Sequence, residues 1–463
     1  MIGPVTNPGL PGGLEEAGLD EGAGHSPGPH DGPSSARREN AGPSPALLYV
    51  ATVSATIAQF IVPYAVHLRS LGWRVDAAAR SDRWDEVLDG TFDRRFALPW
   101  SRSMRDAVAL APAVSDMIEI LGRGYDIVHV HTPIAAFATR LAISRMDPAV
   151  RPALIYTAHG FHFHRGGGTV SNTIFLAMEK AAGRWTDRLV VINDEDEQAA
   201  RRHRLVPDDR IVRMPGIGID TGYYARSALP AGAVASGRSG LRVPPTAPMF
   251  AVIGELNRGK RPNDVLVALR LMGHSEAHVA FLGAGPERDR LVRRARFMGV
   301  LDRVRFPGFV TDPRPVIAGA TAVILASSRE GLARSVMEAL ALETPVIAST
   351  ARGNAELVGG GSGFLFDIGD TGTLAARMDW LIDHPEERDA MGRTGRARMV
   401  ERYDLHRLIH LHDALYADVL SSRPSHAHGG ASDARAPRED TGEWSSPPST
   451  VNENAMDTRP ARS

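Results

Sequence analysis

Residues 321–356 read TAVILASSREGLARSVMEALALETPVIASTARGNAE. Ala322–Ala326 is a short, apolar, partly β-branched run, the pattern of a strand buried on both faces of a parallel sheet. A polar turn, Ser327-Ser328-Arg329-Glu330-Gly331, follows it. Leu332, Val336 and Leu340 then fall on one face of an expected helix. Pro345 cannot continue that helix, so its end is expected near Glu343, and Val346–Ala348 reads as the next buried strand. Glu330 therefore sits in the turn at the carboxyl end of a strand, with Glu338 about two helical turns further on.

At ~1.5 Å rise per residue the two glutamates are about 12 Å apart along the backbone. That is too far for the paired carboxylates of ordinary glycoside hydrolysis. It suits two anchors at opposite ends of an extended ligand, with the free amides of a helix start between them to attract phosphate. A nucleotide-sugar has that shape: hydroxylated sugar, diphosphate, hydroxylated ribose. The plainer reading, a loop glutamate and a solvent-facing helix glutamate, stays open on spacing alone.

Glu330, seven residues, Glu338, then TPVIAS and a glycine-rich segment resemble retaining glycosyltransferase family 4, in particular its bacterial exo- and capsular-polysaccharide members. The resemblance extends over residues 46–420. It implies an α/β GT-B fold, in which two Rossmann-like domains face each other across a cleft. It also implies transfer from a nucleotide-diphosphate sugar, expected to be a UDP-sugar, to a lipid-linked polysaccharide or glycolipid acceptor such as an undecaprenyl-linked sugar. No separate cofactor or metal is expected, because the donor is itself a substrate and no aspartate-rich metal motif is evident. A tailoring transferase on a small natural product, a UDP-sugar epimerase of the same fold and a non-catalytic nucleotide-sugar-binding subunit are the alternatives.

Composition agrees with this outline. The 463 residues are 43% hydrophobic and 23% charged, enough for two domains with cores of their own. There is no cysteine, which excludes a disulfide scaffold, a cysteine nucleophile and a thiolate metal site. Lys+Arg 53 against Asp+Glu 54 leaves a formal charge of −1, so nothing global points to nucleic acid. No uninterrupted apolar run approaches ~20 residues, and the acidic, Gly/Pro-rich start is unlike a signal peptide. A cytoplasmic protein, able to rest on the inner face of the plasma membrane, is the expectation.

Residues 1–45 and 422–463 lack periodicity and are expected to be disordered tails. Residues 46–227 read as the first, acceptor-side domain. It opens with a strand at Ala46–Val53, the turn Ser54-Ala55-Thr56 and a helix over 57–70 containing Pro63. Ser54 and Thr56 stand where the family has glycines, and their hydroxyls either contact ligand or cap the helix. Residues 81–105 interleave Trp84, Phe92, Phe96 and Trp100 with Arg94, Arg95, Arg102 and Arg105. That pattern fits either a membrane-touching surface or, more simply, a short insertion packed on the core.

The strand Asp126–His131 ends DIVHVHTP, at the edge where open α/β sheets bind ligands. His129 and His131 are read as pointing to different sides, with His131 at the cleft and His129 in the core. After the strand Ala153–Thr157 come His159, His162 and His164. Their spacing carries no zinc signature. By resemblance His159-Gly160 matches the family's donor-sugar histidine, and His162 and His164 fall on the acceptor side.

Residues 228–248 are small and Gly/Pro-rich and read as a flexible linker to the second domain, 249–402. There Lys260, in a strand-to-helix turn, matches the family's diphosphate-binding lysine. The arginine that usually follows the first glycine is Glu255 here, as in the polysaccharide subgroup, and Arg258 or Arg261 is left to supply a second charge. Resemblance further assigns Phe309 or Val310 to the base, Glu338 to the ribose, Glu330 to the sugar, and the amides near Gly331 and Leu332 to phosphate. A last helix over 403–421 is expected to cross back onto the first domain.

Overall fold

The computed structural model describes residues 44–422, apart from 81–83, 85–87, 101–109 and 164–166. Residues 1–43 and 423–463 of the tails expected to be disordered, and the candidates Arg102, Arg105 and His164, lie outside the described residues.

Two wholly parallel sheets organise the chain. The first contains β1 (Ala46–Val53), β2 (Arg74–Arg80), β3 (Arg95–Ala97), β4 (Ile127–His131), β5 (Ala153–Ala158), β6 (Arg188–Val191) and β7 (Ile211–Arg213). Its order is β3-β2-β1-β4-β5-β6-β7. The second contains β8 (Met249–Ile253), β9 (His278–Leu282), β10 (Val304–Gly308), β11 (Ala322–Leu325), β12 (Val346–Ser349) and β13 (Gly363–Phe366), in the order β10-β9-β8-β11-β12-β13. Each sheet winds outward from its first strand, reverses, and winds the other way. That is the doubly wound Rossmann topology, and it opens a crevice between β1 and β4 in one domain and between β8 and β11 in the other. The architecture is the GT-B fold.

Helices cover both faces of both sheets, which is why the central strands are buried and largely apolar rather than alternating. The helix Leu405–Ser421 completes one of these faces. It buries Leu408, Leu415, Tyr416 and Val419 against Leu47, Tyr49, Ile57 and Leu68 of the first domain. Tyr416 and Tyr49 bond through their hydroxyls at 2.9 Å, and Asp413 and Asp418 pair with His67 and Arg188. Asp404 caps this helix with a side-chain oxygen accepting from the His406 and Arg407 amides.

Two expectations change. Residues 228–248 are not a loose tether: Ala233–Gly240 is helical and packs on the helix Arg314–Ala318 of the second domain. Small residues permit that approach, and Arg238 and Arg305 donate to the Gly319 and Leu241 carbonyls at 2.8 Å each. The single helix expected over 57–70 is two, Ser54–Phe60 and Val62–Ser70, with Pro63 in the first turn of the second, where its missing N–H costs nothing. The simpler reading of the aromatics in 81–105 holds: Phe92 and Trp100 are buried, and Trp84 and Phe96 are partly buried against the core. These aromatics are packing, so they do not form the membrane-touching surface considered above.

Leu408 is fully buried at the junction between the last helix and the first domain. Leu408→Ala should cost about 2–5 kcal/mol of unfolding free energy, read as a lower urea midpoint at unchanged slope.

Candidate active site

The turns after β8 and β11 leave adjacent strands at the reversal of the second sheet, so their side chains converge. Lys260 Nζ donates to Glu330 Oε1 at 2.6 Å, with the lysine half-buried and the glutamate largely buried. The two turns are also clamped by backbone, since the Ser328 amide and hydroxyl both donate to the Gly259 carbonyl, at 2.9 and 3.0 Å. The Asn257 side chain accepts from the Lys260 amide at 3.0 Å and donates to Glu255 at 2.9 Å. Glu255 is thus part of the turn's own bonding. Neither proposed replacement cation joins Lys260. Arg261 pairs with Asp264 at 2.6 Å, and Arg258, almost fully exposed, pairs with Glu287 at 3.3 Å.

The helix after β11 begins at Arg334, three residues later than the expected start near Gly331. Glu338, on its second turn, accepts from Tyr224 at 2.8 Å and Arg334 at 2.9 Å. Both bonds fall on Oε1, and Oε2 has no partner among the described residues. Burial first, then the Glu338 charge, holds the Tyr224 hydroxyl protonated, well above the usual phenol range. Phe309, just after β10, is 60% exposed.

Gly331 serves in another way. A Cβ there would overlap the His159 carbonyl oxygen, and one at Gly353 would overlap the Gly331 carbonyl. The two domains therefore meet backbone to backbone, beside the histidine. Sequence reading missed the charges that flank this contact. Arg352, in the turn after β12, pairs with Asp196 at 2.8 Å and donates to the Phe161 carbonyl at 3.0 Å. Its side chain is 5% exposed and that of Asp196 is fully buried. Nearby, Arg213 pairs with Glu356, whose carboxylate also accepts from the Asp194 amide at 2.6 Å. Arg334 Nη1 reaches the Gln59 carbonyl of the first domain at 2.6 Å.

On the first-domain side, Ser54 and Thr56 lie in the helix Ser54–Phe60 rather than in a turn, and neither caps it, because Val53 is the N-cap. They remain half-buried near the carboxyl end of β1. Thr132, beyond the end of β4, has φ of +74°, an uncommon conformation for a non-glycine residue, secured by its hydroxyl bonding both the amide and the hydroxyl of Thr52.

The histidines form a column. His129 and His131 do not point to different sides: residues two apart on a strand share a face, and their ring centroids are 4.4 Å apart. His129 bonds Thr157 and Tyr416 at 2.7 Å each. His131 is buried and bonds His159 at 2.9 Å, so it stands behind His159 rather than at the cleft. His159 is half-buried and stacks on Phe60. His412, from the last helix, completes the column 5.9 Å from His129. Burial lowers all four, His159 and His412 to about 4. At neutral pH this column is uncharged. His162 lies against Phe175, 4.9 Å between ring centroids.

The family follows from comparison with known proteins. The pattern of the 4-like glycosyl transferase domain matches residues 56–216, and that of the glycosyl transferases group 1 matches residues 237–398. The putative glycosyltransferase EpsD of Bacillus subtilis is 31% identical over 358 residues, 76% of this chain and 91% of that protein. LpsE of Rhizobium meliloti, a lipopolysaccharide core biosynthesis glycosyltransferase, is 30% identical over 193 residues, 41% of this chain and 55% of its own. Among solved structures, HepE of Anabaena in complex with UDP superposes with a TM-score of 0.67 at 19% identity, covering 82% of this chain and all of that one. Fold and site define a GT-B glycosyltransferase that draws on a nucleotide-sugar donor. The chain belongs to the GT-B glycosyltransferases and is related to bacterial polysaccharide-building members of that family.

Two outcomes are expected. Gly331→Ala should hold the domains apart where they now touch, lowering turnover about tenfold or more while the far-UV spectrum stays unchanged. Stability should also fall with acid. The histidine column has lowered folded-state values, so its contribution is complete above about 6.5 and is lost as pH drops toward 4, where only the unfolded chain takes up protons. Urea midpoints at pH 7 and 5 measure it, and His412→Leu should flatten the dependence.

Proposed function

We propose that the protein is a retaining transferase of family 4 that moves a sugar from a UDP-sugar to a lipid-linked saccharide, at the cytoplasmic face of the plasma membrane. The observation that carries this reading is the Lys260–Glu330 pair at the strand-order reversal of the second domain. An ammonium has three N–H donors, and Glu330 takes one of them, leaving two for diphosphate oxygens. Glu330 in turn has a second oxygen for sugar hydroxyls. Glu338 keeps Oε2 for the ribose, and Phe309 with Val310 holds the base. His159, neutral above about pH 4, is a hydrogen-bonding group to the sugar rather than a cation for the leaving group.

The acceptor hydroxyl attacks the anomeric carbon from the face the diphosphate leaves. The new C–O bond forms as the sugar–phosphate bond breaks, and the hydroxyl proton passes to the departing phosphate oxygen. Catalysis then rests on positioning and on Lys260 neutralising the charge that develops on the diphosphate. The uridine base is supported by HepE, whose structure was solved with UDP, and the lipid-linked acceptor by LpsE, named for lipopolysaccharide core biosynthesis. No helix among the described residues is long and apolar enough to span a membrane.

A panel of nucleotide-sugars, read by thermal shift and by nucleotide release with and without lipid-linked acceptors, tests the reading. A UDP-sugar should raise the melting temperature, and Glu338→Ala should abolish the shift. Lys260→Ala should lower turnover by about 100-fold or more in a folded protein. Unchanged turnover in Lys260→Ala would show that the leaving-group charge is met elsewhere. Isomerised donor without any acceptor would make the protein an epimerase.

A further inference from the structure

His131 Nδ1 and His159 Nε2 are 2.9 Å apart. Both rings are neutral at working pH because burial disfavours the charged form. One nitrogen of the pair must then donate and the other accept, which leaves two arrangements. In the first, His131 donates from Nδ1, His159 accepts at Nε2, and His159 carries its own proton on Nδ1. In the second, His159 donates from Nε2 and is bare at Nδ1, while His131 carries its proton on Nε2.

The other nitrogen of His131 decides between them. His131 Nε2 is buried and has no hydrogen-bond partner. In the second arrangement it would be an orphaned buried N–H donor, and in the first only an unfilled lone pair. Buried N–H groups without a partner are the rarer of the two in folded proteins. The neighbouring rings do not substitute as acceptors: His129 and Tyr49 are tilted only 31° and 39° from the His131 plane, so neither turns its face toward an N–H lying in that plane. His131 is also held in place, since His129 behind it is pinned by Thr157 and Tyr416.

We propose that His131 is a positioning residue that fixes the tautomer of His159, so that His159 offers a donor at Nδ1. That nitrogen has no partner among the described residues, on a ring that is half-buried and stacked on Phe60. The geometry assigns His159 an N–H for a sugar hydroxyl oxygen, not a lone pair that would accept from one. The consequence for transfer rests on the role of His159 given above. The tautomer itself does not.

The test is therefore split. Protein labelled with ring-15N histidine reports, through long-range proton–nitrogen correlation, which nitrogen carries each proton, and His159→Gln identifies the resonance among the 17 histidines. His159 should be protonated at Nδ1 in the wild type and in His131→Asn, whose amide can donate from the same place. His131→Leu should shift the proton toward Nε2, the tautomer a free imidazole prefers, and lower kcat about tenfold. His131→Asn should restore kcat to within about threefold. A wild-type His159 protonated at Nε2 overturns the proposal, as does a folded His131→Asn no better than His131→Leu. If no sugar transfer is found with any donor, the nitrogen spectrum still decides the tautomer, and only the reading of the reaction fails. If His131→Leu does not fold, the wild type and His131→Asn carry the test alone.

Discussion

Two parallel sheets can share one ligand only if their carboxyl edges come close, and in this protein that closeness depends on a position with no side chain. Gly331 lies against the His159 carbonyl, and Gly353 against Gly331. A Cβ at Gly331 would wedge the domains apart, and one at Gly353 would displace Gly331 itself within the second domain. The glutamate at 330 and the histidine at 159 are therefore brought together by backbone contact at the residues beside them. This is a stiffer arrangement than a contact between long side chains, because it has no rotamers to absorb a displacement.

Around that contact the protein buries charge. Arg352 and Asp196 are nearly inaccessible, and burial raises the Asp196 carboxyl even with the guanidinium beside it. Desolvation of such a pair offsets much of its Coulomb attraction, so its worth lies less in stability than in orientation. Two bonds from one planar guanidinium, to Asp196 and to the Phe161 carbonyl, fix the angle between a second-domain turn and the first-domain loop that carries His159. Removing one partner would leave a bare buried ion, a much larger penalty than the pair's net contribution.

The strands, their parallel pairing and the turns bearing Lys260 and Glu330 were legible in the sequence. Each is a local pattern: apolar runs of four to six residues, closed by glycine, proline or a polar turn. The partners of those turns were not, because sequence spacing does not say which side chain meets which across two domains. Arg352 reads as a loop cation, Asp196 as an acidic residue in a first turn, and only the folded chain joins them. The histidine column failed for a different reason. Period two puts His129 and His131 on one face, and treating them as opposed hid the stack that leads through Tyr416 to the last helix. The 228–248 segment misled because Gly, Ala and Pro mark a tether in most contexts. Here the small residues permit close helix packing, and arginine donors fill the exposed carbonyls.

The helix Leu405–Ser421 belongs to the second half of the chain by sequence and to the first domain by packing. During synthesis the first sheet emerges complete through β7, yet the face bearing Leu47 and Tyr49 has only the helices Ser54–Phe60 and Val62–Ser70 as cover until the chain has grown past residue 421. At elongation rates of about 5–20 residues per second that interval is on the order of 10–40 s. Over it the nascent first domain displays an apolar surface and a histidine column without its capping tyrosine. The order of segments along the chain is thus also an order of burial, and the last helix is what closes this face of the first domain.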